Sequence, residues 1–93
     1  MPGSILVEAE ALVNGDRAKQ YGPIREDYSR VAAIFKAITG IPLTTEIAVA
    51  FMLAVKLSRL GMTLQGQAKH KRDNLTDLCG YASKLNDLLE GKE

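Results

Sequence analysis

Three groups of residues in this chain have the types and spacing to do chemistry. The first is the stretch Arg17-Ala18-Lys19-Gln20-Tyr21-Gly22, followed at once by Pro23. Arg17 and Lys19 are cations for phosphate, Tyr21 is a ring that can stack on a base, and Gly22 lets the backbone turn and come close. A helix opening at Pro23 would add free N–H groups near Ile24 and Arg25, which attract anions. Together these make a nucleotide-binding corner. The same residues also read as a charged surface turn.

The second group is cationic. Lys56 and Arg59 stand one helical turn apart, and the tract Lys69-His70-Lys71-Arg72 follows. It reads as a phosphate clamp or as a solvated basic loop. His70 has no second His or Cys near it in sequence, so it is poor evidence for zinc, which takes nitrogen and sulfur ligands. The third group is acidic. Asp73 and Asp77 are four residues apart, which stacks their carboxylates on one helix face, and with Glu46 they are a candidate divalent-metal or phosphate–metal site. Alternatively they are dipole-favoured acids paired with Lys56 and Arg59. No phosphate-binding glycine loop, dinucleotide fingerprint, Ser-His-Asp set or reactive-thiol context competes with these groups.

The elements that must position them are helices, with no alternating strand pattern anywhere. Ser4 can cap a first helix from Ile5 to about Asn14, stopped by Gly15, with Ile5, Leu6, Ala9, Leu12 and Val13 on one stripe. RAKQYG is then the connection to a second helix. That helix starts at Pro23 and ends before Gly40, with Ile24, Tyr28, Val31, Phe35 and Ile38 as its apolar stripe. Tyr28 belongs to this stripe, whereas nothing in the periodicity requires Tyr21. Thr44 or Thr45 caps a third helix from about Glu46 to Leu60, stopped by Gly61. It is apolar all round from Ile47 to Val55, so it must be covered on every side, and three short neighbours from one chain cover it poorly. A subunit interface is expected. The fourth helix runs from about Arg72 to Glu90, with Leu75, Leu78, Cys79, Ala82, Leu85 and Leu89 inward. Gly80 in its middle costs about 1 kcal/mol relative to Ala, so another backbone or a ligand comes close there. The expected architecture is one all-α domain over residues 1–93, with four helices around an apolar central one, in an oligomer.

Twelve Lys and Arg against eleven Asp and Glu leave a formal charge of +1, too little for global attraction to nucleic acid or an acidic membrane. Any anion site is local, and neither nucleic acid nor membrane is an expected partner. Cys79 has no partner for an internal disulfide, which fits a reducing compartment and a buried free thiol. The N-terminal residues lack the basic region and cleavage site of a signal peptide. The uncharged apolar run from Ile47 to Val55 is shorter than the roughly 20 residues of a membrane span. A cytoplasmic protein is expected.

The order of DRAKQYG, VAFMLAVKLSRL and HKRDNLTDLCGYA resembles a family of small phage and prophage proteins, from about Ser4 to Leu89. On fewer residues the chain is also similar to the nucleotide-modification-associated and MazG-like all-α nucleoside triphosphate pyrophosphohydrolases. In those enzymes Glu-Glu-x-x-Glu and Glu-x-x-Asp motifs hold magnesium while water attacks the triphosphate. Here only Glu46, Asp73 and Asp77 occupy comparable helix positions, no Glu-Glu-x-x-Glu occurs, and Lys56 and Arg59 stand on the helix instead. That departure favours direct binding of phosphate by cations. The resulting expectation is a phage-type oligomer in the cytoplasm of an infected or lysogenic bacterial host. It binds, and as an anti-defence protein sequesters, a nucleotide or nucleotide-derived immune signal, without a cofactor, through Arg17, Lys19, Tyr21, Gly22, Lys56, Arg59, His70 and Arg72. The alternatives are a magnesium-dependent pyrophosphohydrolase using Glu46, Asp73 and Asp77, and a ligand-free helical protein that binds a host factor.

Overall fold

The computed structural model describes residues 3–92, apart from the side chains of residues 16–18. Helix α1 covers Ile5–Ala11, a π-helical turn covers Leu12–Asp16, α2 covers Arg17–Tyr21, α3 Ile24–Thr39, α4 Thr45–Leu64 and α5 Arg72–Leu89. No strand occurs among the described residues, and with α1, the π turn and α2 taken as one continuous arm the helices number four. The chain is all-α, as its periodicity predicts.

Two expected stops are displaced. Gly15 does not end the first helix but sits inside the π turn, so RAKQYG is mostly helix rather than connection. Helix-tolerant residues follow Gly15, whereas Pro23 follows Gly22, and a proline cannot continue the helical hydrogen-bond pattern. The left-handed turn therefore falls at Gly22, with φ 81°. Gly61 is likewise carried through the third long helix, which ends only at Leu64. Thr44 caps this helix as expected, its hydroxyl accepting from the Ile47 N–H at 3.1 Å. Ser4 occupies the cap position of α1 without a side-chain hydrogen bond.

α4 and α5 form an antiparallel hairpin around Val49, Tyr81 and Leu88, with Ile24, Tyr28, Met52, Leu53 and Leu85 packed against them. Val49 is the one large side chain fully buried among the described residues. Tyr28 is core, as expected. Its ring meets Tyr81 edge-on at 6.0 Å and the two hydroxyls share a hydrogen bond of 3.1 Å. Arg25 at the start of α3 ties three helices together, reaching Glu46 of α4 and the Leu88 carbonyl of α5, each at 3.4 Å. Ser29 and Thr45 join α3 to α4 at 2.8 Å.

The inward stripes differ from the expected ones. On α3 the interior face is Ile24, Tyr28, Ala32 and Phe35, while Val31 and Ile38 are exposed. On α5 the buried residues are Asn74, Thr76, Asp77, Gly80, Tyr81 and Leu88, and Leu89 and Ala82 face out. The reason is that α5 is packed on two sides, by α4 and by the N-terminal arm, so its buried face is wider than a leucine stripe and includes polar positions. Cys79 is half-buried with a free thiol.

By length and apolar composition α4 is the one helix among the described residues that could cross a membrane, because its run through Gly61 adds Met62 and Leu64. It nonetheless carries Lys56, which is committed to an ion pair with α5.

The N-terminal arm runs parallel to α5. Glu8 faces Arg72 at 2.7 Å and Asn14 accepts from Lys84 at 2.8 Å. Between them Gly80 faces Ala9 and Val13, and a Cβ there would lie 2.8 Å from Val13 Cγ1. The close approach expected at this glycine is made by a neighbouring helix. Gly80→Ala gains about 1 kcal/mol of helix propensity but meets a stiff β-branched side chain, and overpacking of this kind costs about 1–3 kcal/mol. The expected net loss is about 1 kcal/mol. In a Val13→Ala background the same change turns neutral or stabilising by up to about 1 kcal/mol, and urea unfolding of the four proteins of this cycle reads the reversal.

Candidate binding site

The sequence-predicted residues divide between two cavities whose linings share no residue but reach α5 one turn apart, at Asp77 and Tyr81. The first, about 420 Å³, lies between the C-terminal half of α4, the following loop and the first turns of α5. Lys56, Arg59, Lys69 and Lys71 bring four cations to it, with Asp73, Asn74 and Asp77 from α5. Lys56 and Asp77 form its most buried feature, an ion pair of 2.8 Å with side chains only 11% and 9% exposed. Taking two charges out of water is costly, and their attraction offsets this only while both are present.

The second cavity, about 350 Å³, is lined by Val13, Tyr21, Gly22, Ile24, Asp27, Tyr28 and Tyr81. It is aromatic with one carboxylate. Tyr21 is 55% exposed, so its ring is available, while its carbonyl accepts from Arg30 at 2.9 Å, which satisfies the C-terminal end of α2. The first turn of α3 already carries Glu26 and Asp27, so the anion-attracting end of that helix faces its own acids rather than open solvent. Asp77 faces the cationic cavity and Tyr81 the aromatic one, one turn apart on α5, about 6 Å along the axis.

Other predicted residues stand elsewhere. Lys19 and His70 are exposed and line neither cavity, and the Arg17 side chain lies outside the described residues. Arg72 turns away to the N-terminal arm, bonding Glu8 and the Gly3 carbonyl. The Glu8 hydrogen bond holds the Arg72 guanidinium above its usual pKa. Glu46 pairs with Arg25 and is ten residues, about 15 Å, from Lys56 along α4, so it does not join Asp73 and Asp77. Among the described residues no three of His, Cys, Asp and Glu come together as a metal site.

Lys69 and Lys71 enter the cationic cavity from the basic tract of which only His70 and Arg72 were picked as site residues, and Asn74 and Tyr81 line the cavities without having been singled out in the sequence. Asn74, Asp77, Tyr81 and Leu88 follow one another at intervals of three, four and seven, so one polar-centred stripe would have found two of them.

Breaking the buried pair tests its place at the base of the site. Lys56→Met should destabilise the fold by up to about 3–5 kcal/mol, because the buried Asp77 loses its cation at 2.8 Å. Adding Asp77→Leu should recover most of that loss in the same urea titration. Equal instability of the single and double variants would mean that packing, not charge, holds the two helices here.

Comparison with known proteins places this geometry in a lineage. Residues 4–89 match the model of a domain of unknown function, DUF6378. The chain is 31% identical over 86 residues to the Gene 55 protein of Mycobacterium phage L5, covering 91% of this chain and 52% of that protein. It is 32% identical over 90 residues to the Gene 55 protein of Mycobacterium phage D29, covering 97% of this chain and 56% of that protein. The chain thus spans about half the length of these curated relatives. No solved structure matches it. With nearly its whole length inside the family model, and with the resemblance to small phage proteins borne out by these relatives, the chain belongs to the DUF6378 family.

Proposed function

We propose that this protein binds a nucleotide or nucleotide-derived signal and holds it unchanged, in the cytoplasm of a phage-infected cell. The observation that carries the reading is the adjacency of the two cavities on α5, one with four cations and one lined by tyrosines. Phosphates fit the cationic side, where Arg59, Lys69 and Lys71 surround the already neutralised Asp77. A base fits against Tyr21, and its exocyclic amine can donate to Asp27.

Holding rather than hydrolysing is favoured by the arrangement of acids. Magnesium-dependent attack on a triphosphate needs carboxylates free to hold the metal beside the phosphates. Asp77 is engaged by Lys56, and Glu46 is held by Arg25 at the other end of α4. The joint presence of Asp73 and Asp77 in the cationic cavity is the observation that speaks for the pyrophosphohydrolase reading.

Titration calorimetry with adenosine and guanosine triphosphates and with cyclic dinucleotides, in magnesium buffer, tests the proposal. Arg59→Ala and Lys69→Ala should each weaken binding by about 1.5–3 kcal/mol, as loss of a charge-assisted hydrogen bond does. Tyr21→Ala should cost about 1–3 kcal/mol. Lys19→Ala and His70→Ala should stay within about 0.5 kcal/mol of the parent. The nucleotide should be recovered intact after denaturation. Pyrophosphate release that disappears in Asp77→Asn would replace sequestration with hydrolysis, and absence of binding to every nucleotide would remove both.

A further inference from the structure

The apolar side chains of α3 and α4 that face solvent are too many and too ordered for scattered surface residues. On α4, Ile47, Phe51, Ala54 and Ser58 recur at intervals of four, three and four, and Ala50 and Leu57 extend the same face. Phe51 is 66% exposed. On α3, Val31, Ile34 and Ile38 make a second exposed row, with Ile38 78% exposed. The hydrogen bond between Ser29 and Thr45 and the Arg25–Glu46 pair hold only the first half of α3 to α4. Beyond Ser29 the helix buries just Ala32.

The size of this uncovered surface points to what covers it. A compact monomer of this mass exposes about 5,300 Å². This chain exposes 6276 Å². The excess, roughly 1,000 Å², is close to the ~800 Å² that each partner loses in a standard protein interface. The radius of gyration, 14.2 Å, also exceeds the ~12 Å of a compact domain of this length.

From this match we infer that the exposed faces of α3 and α4 pair with the same faces of a second copy of the chain, as an isologous dimer. Such an interface needs a self-complementary surface, and an apolar row with few charges is one. A lipid surface is a poorer occupant, because neither Trp nor Tyr, the residues that sit at membrane interfaces, stands on this face. At the edge of the face a hollow of about 310 Å³, formed by Phe51, Ala54, Val55, Ser58 and Arg59, can receive an apolar side chain of the second copy. Arg59 also lines the cationic cavity, so the second copy would sit beside the ligand site. The inference does not depend on what that cavity binds.

Sedimentation equilibrium of the full chain at micromolar concentration should give twice the chain mass of 10.1 kDa. Phe51→Lys should weaken the dimer about 30-fold or more, the loss expected at an interface hot spot, and Ile38→Lys should act in the same direction. Leu89→Lys is the control, since Leu89 is 70% exposed on α5, away from the face, and should leave the mass unchanged. Should Phe51→Lys not fold, Phe51→Ala, which introduces no charge, is expected to weaken association about tenfold while keeping its helical circular dichroism. A monomeric parent chain overturns the inference. Flotation of that monomer with phosphatidylcholine vesicles would assign the face to lipid, and binding to a host protein would assign it to a foreign partner. A dimer that survives both α3 and α4 changes but dissociates with Leu89→Lys overturns the face assigned.

Discussion

The buried ion pair between Lys56 and Asp77 is the constraint around which this chain is arranged. It joins the two helices that build the core, at 2.8 Å, with both side chains largely removed from water. Pairs of this kind add little net stability over apolar residues of the same size, but they tolerate few alternatives, because any other register leaves two charges buried and apart. The register it sets brings Val49 to Tyr81 and Leu88 on one side and opens the cationic cavity on the other. Core and candidate site are thus two sides of one helix pairing.

A second constraint acts on the far side of α5. Gly80 lets the N-terminal arm approach so closely that no Cβ fits, and Arg72 and Lys84 hold the arm from either end. With the arm held there, Tyr21 and Gly22 at its end line the aromatic cavity together with Val13 and with Tyr81 of α5. The π turn at Leu12–Asp16 accommodates Gly15 without ending the helix. Tyr21 therefore has a place in the structure that the apolar periodicity of the arm alone does not provide.

Much of this was legible in the sequence. Helical periodicity, Thr44 as a cap, Gly40 as a stop and the tight packing at Gly80 were all read correctly from local patterns. The errors have two causes. Gly15 and Gly61 are helix-compatible when their neighbours favour helix, and only a proline or a left-handed backbone distinguishes a stop from a passage. The stripe on α5 was misplaced because apolar residues were counted inward, whereas that helix buries Asn74, Thr76 and Asp77. For the candidate site, residue type picked out Lys56, Arg59, Tyr21 and Gly22, which line the two cavities. Arg72 was not separable from its neighbours by type, because its engagement with Glu8 is a contact between residues sixty-four positions apart. Long-range ion pairing leaves no periodic signal.

The polar interior and the apolar exterior follow from one choice. A helix as apolar as α4 is normally wrapped by leucines from every neighbour, yet α5 presents Asn74, Asp77 and Tyr81 on its buried face. Those residues cannot be replaced by leucines without closing the cavity, so α5 covers only the side of α4 that bears Val49, Met52 and Lys56. The N-terminal arm is held against α5 and leaves α4 alone, and α3 reaches α4 only through its first half. Among the described residues Ile47, Phe51 and Leu57 stay more than half exposed. The polar face that α5 turns inward and the apolar face that α4 leaves outward are thus two consequences of one helix pairing.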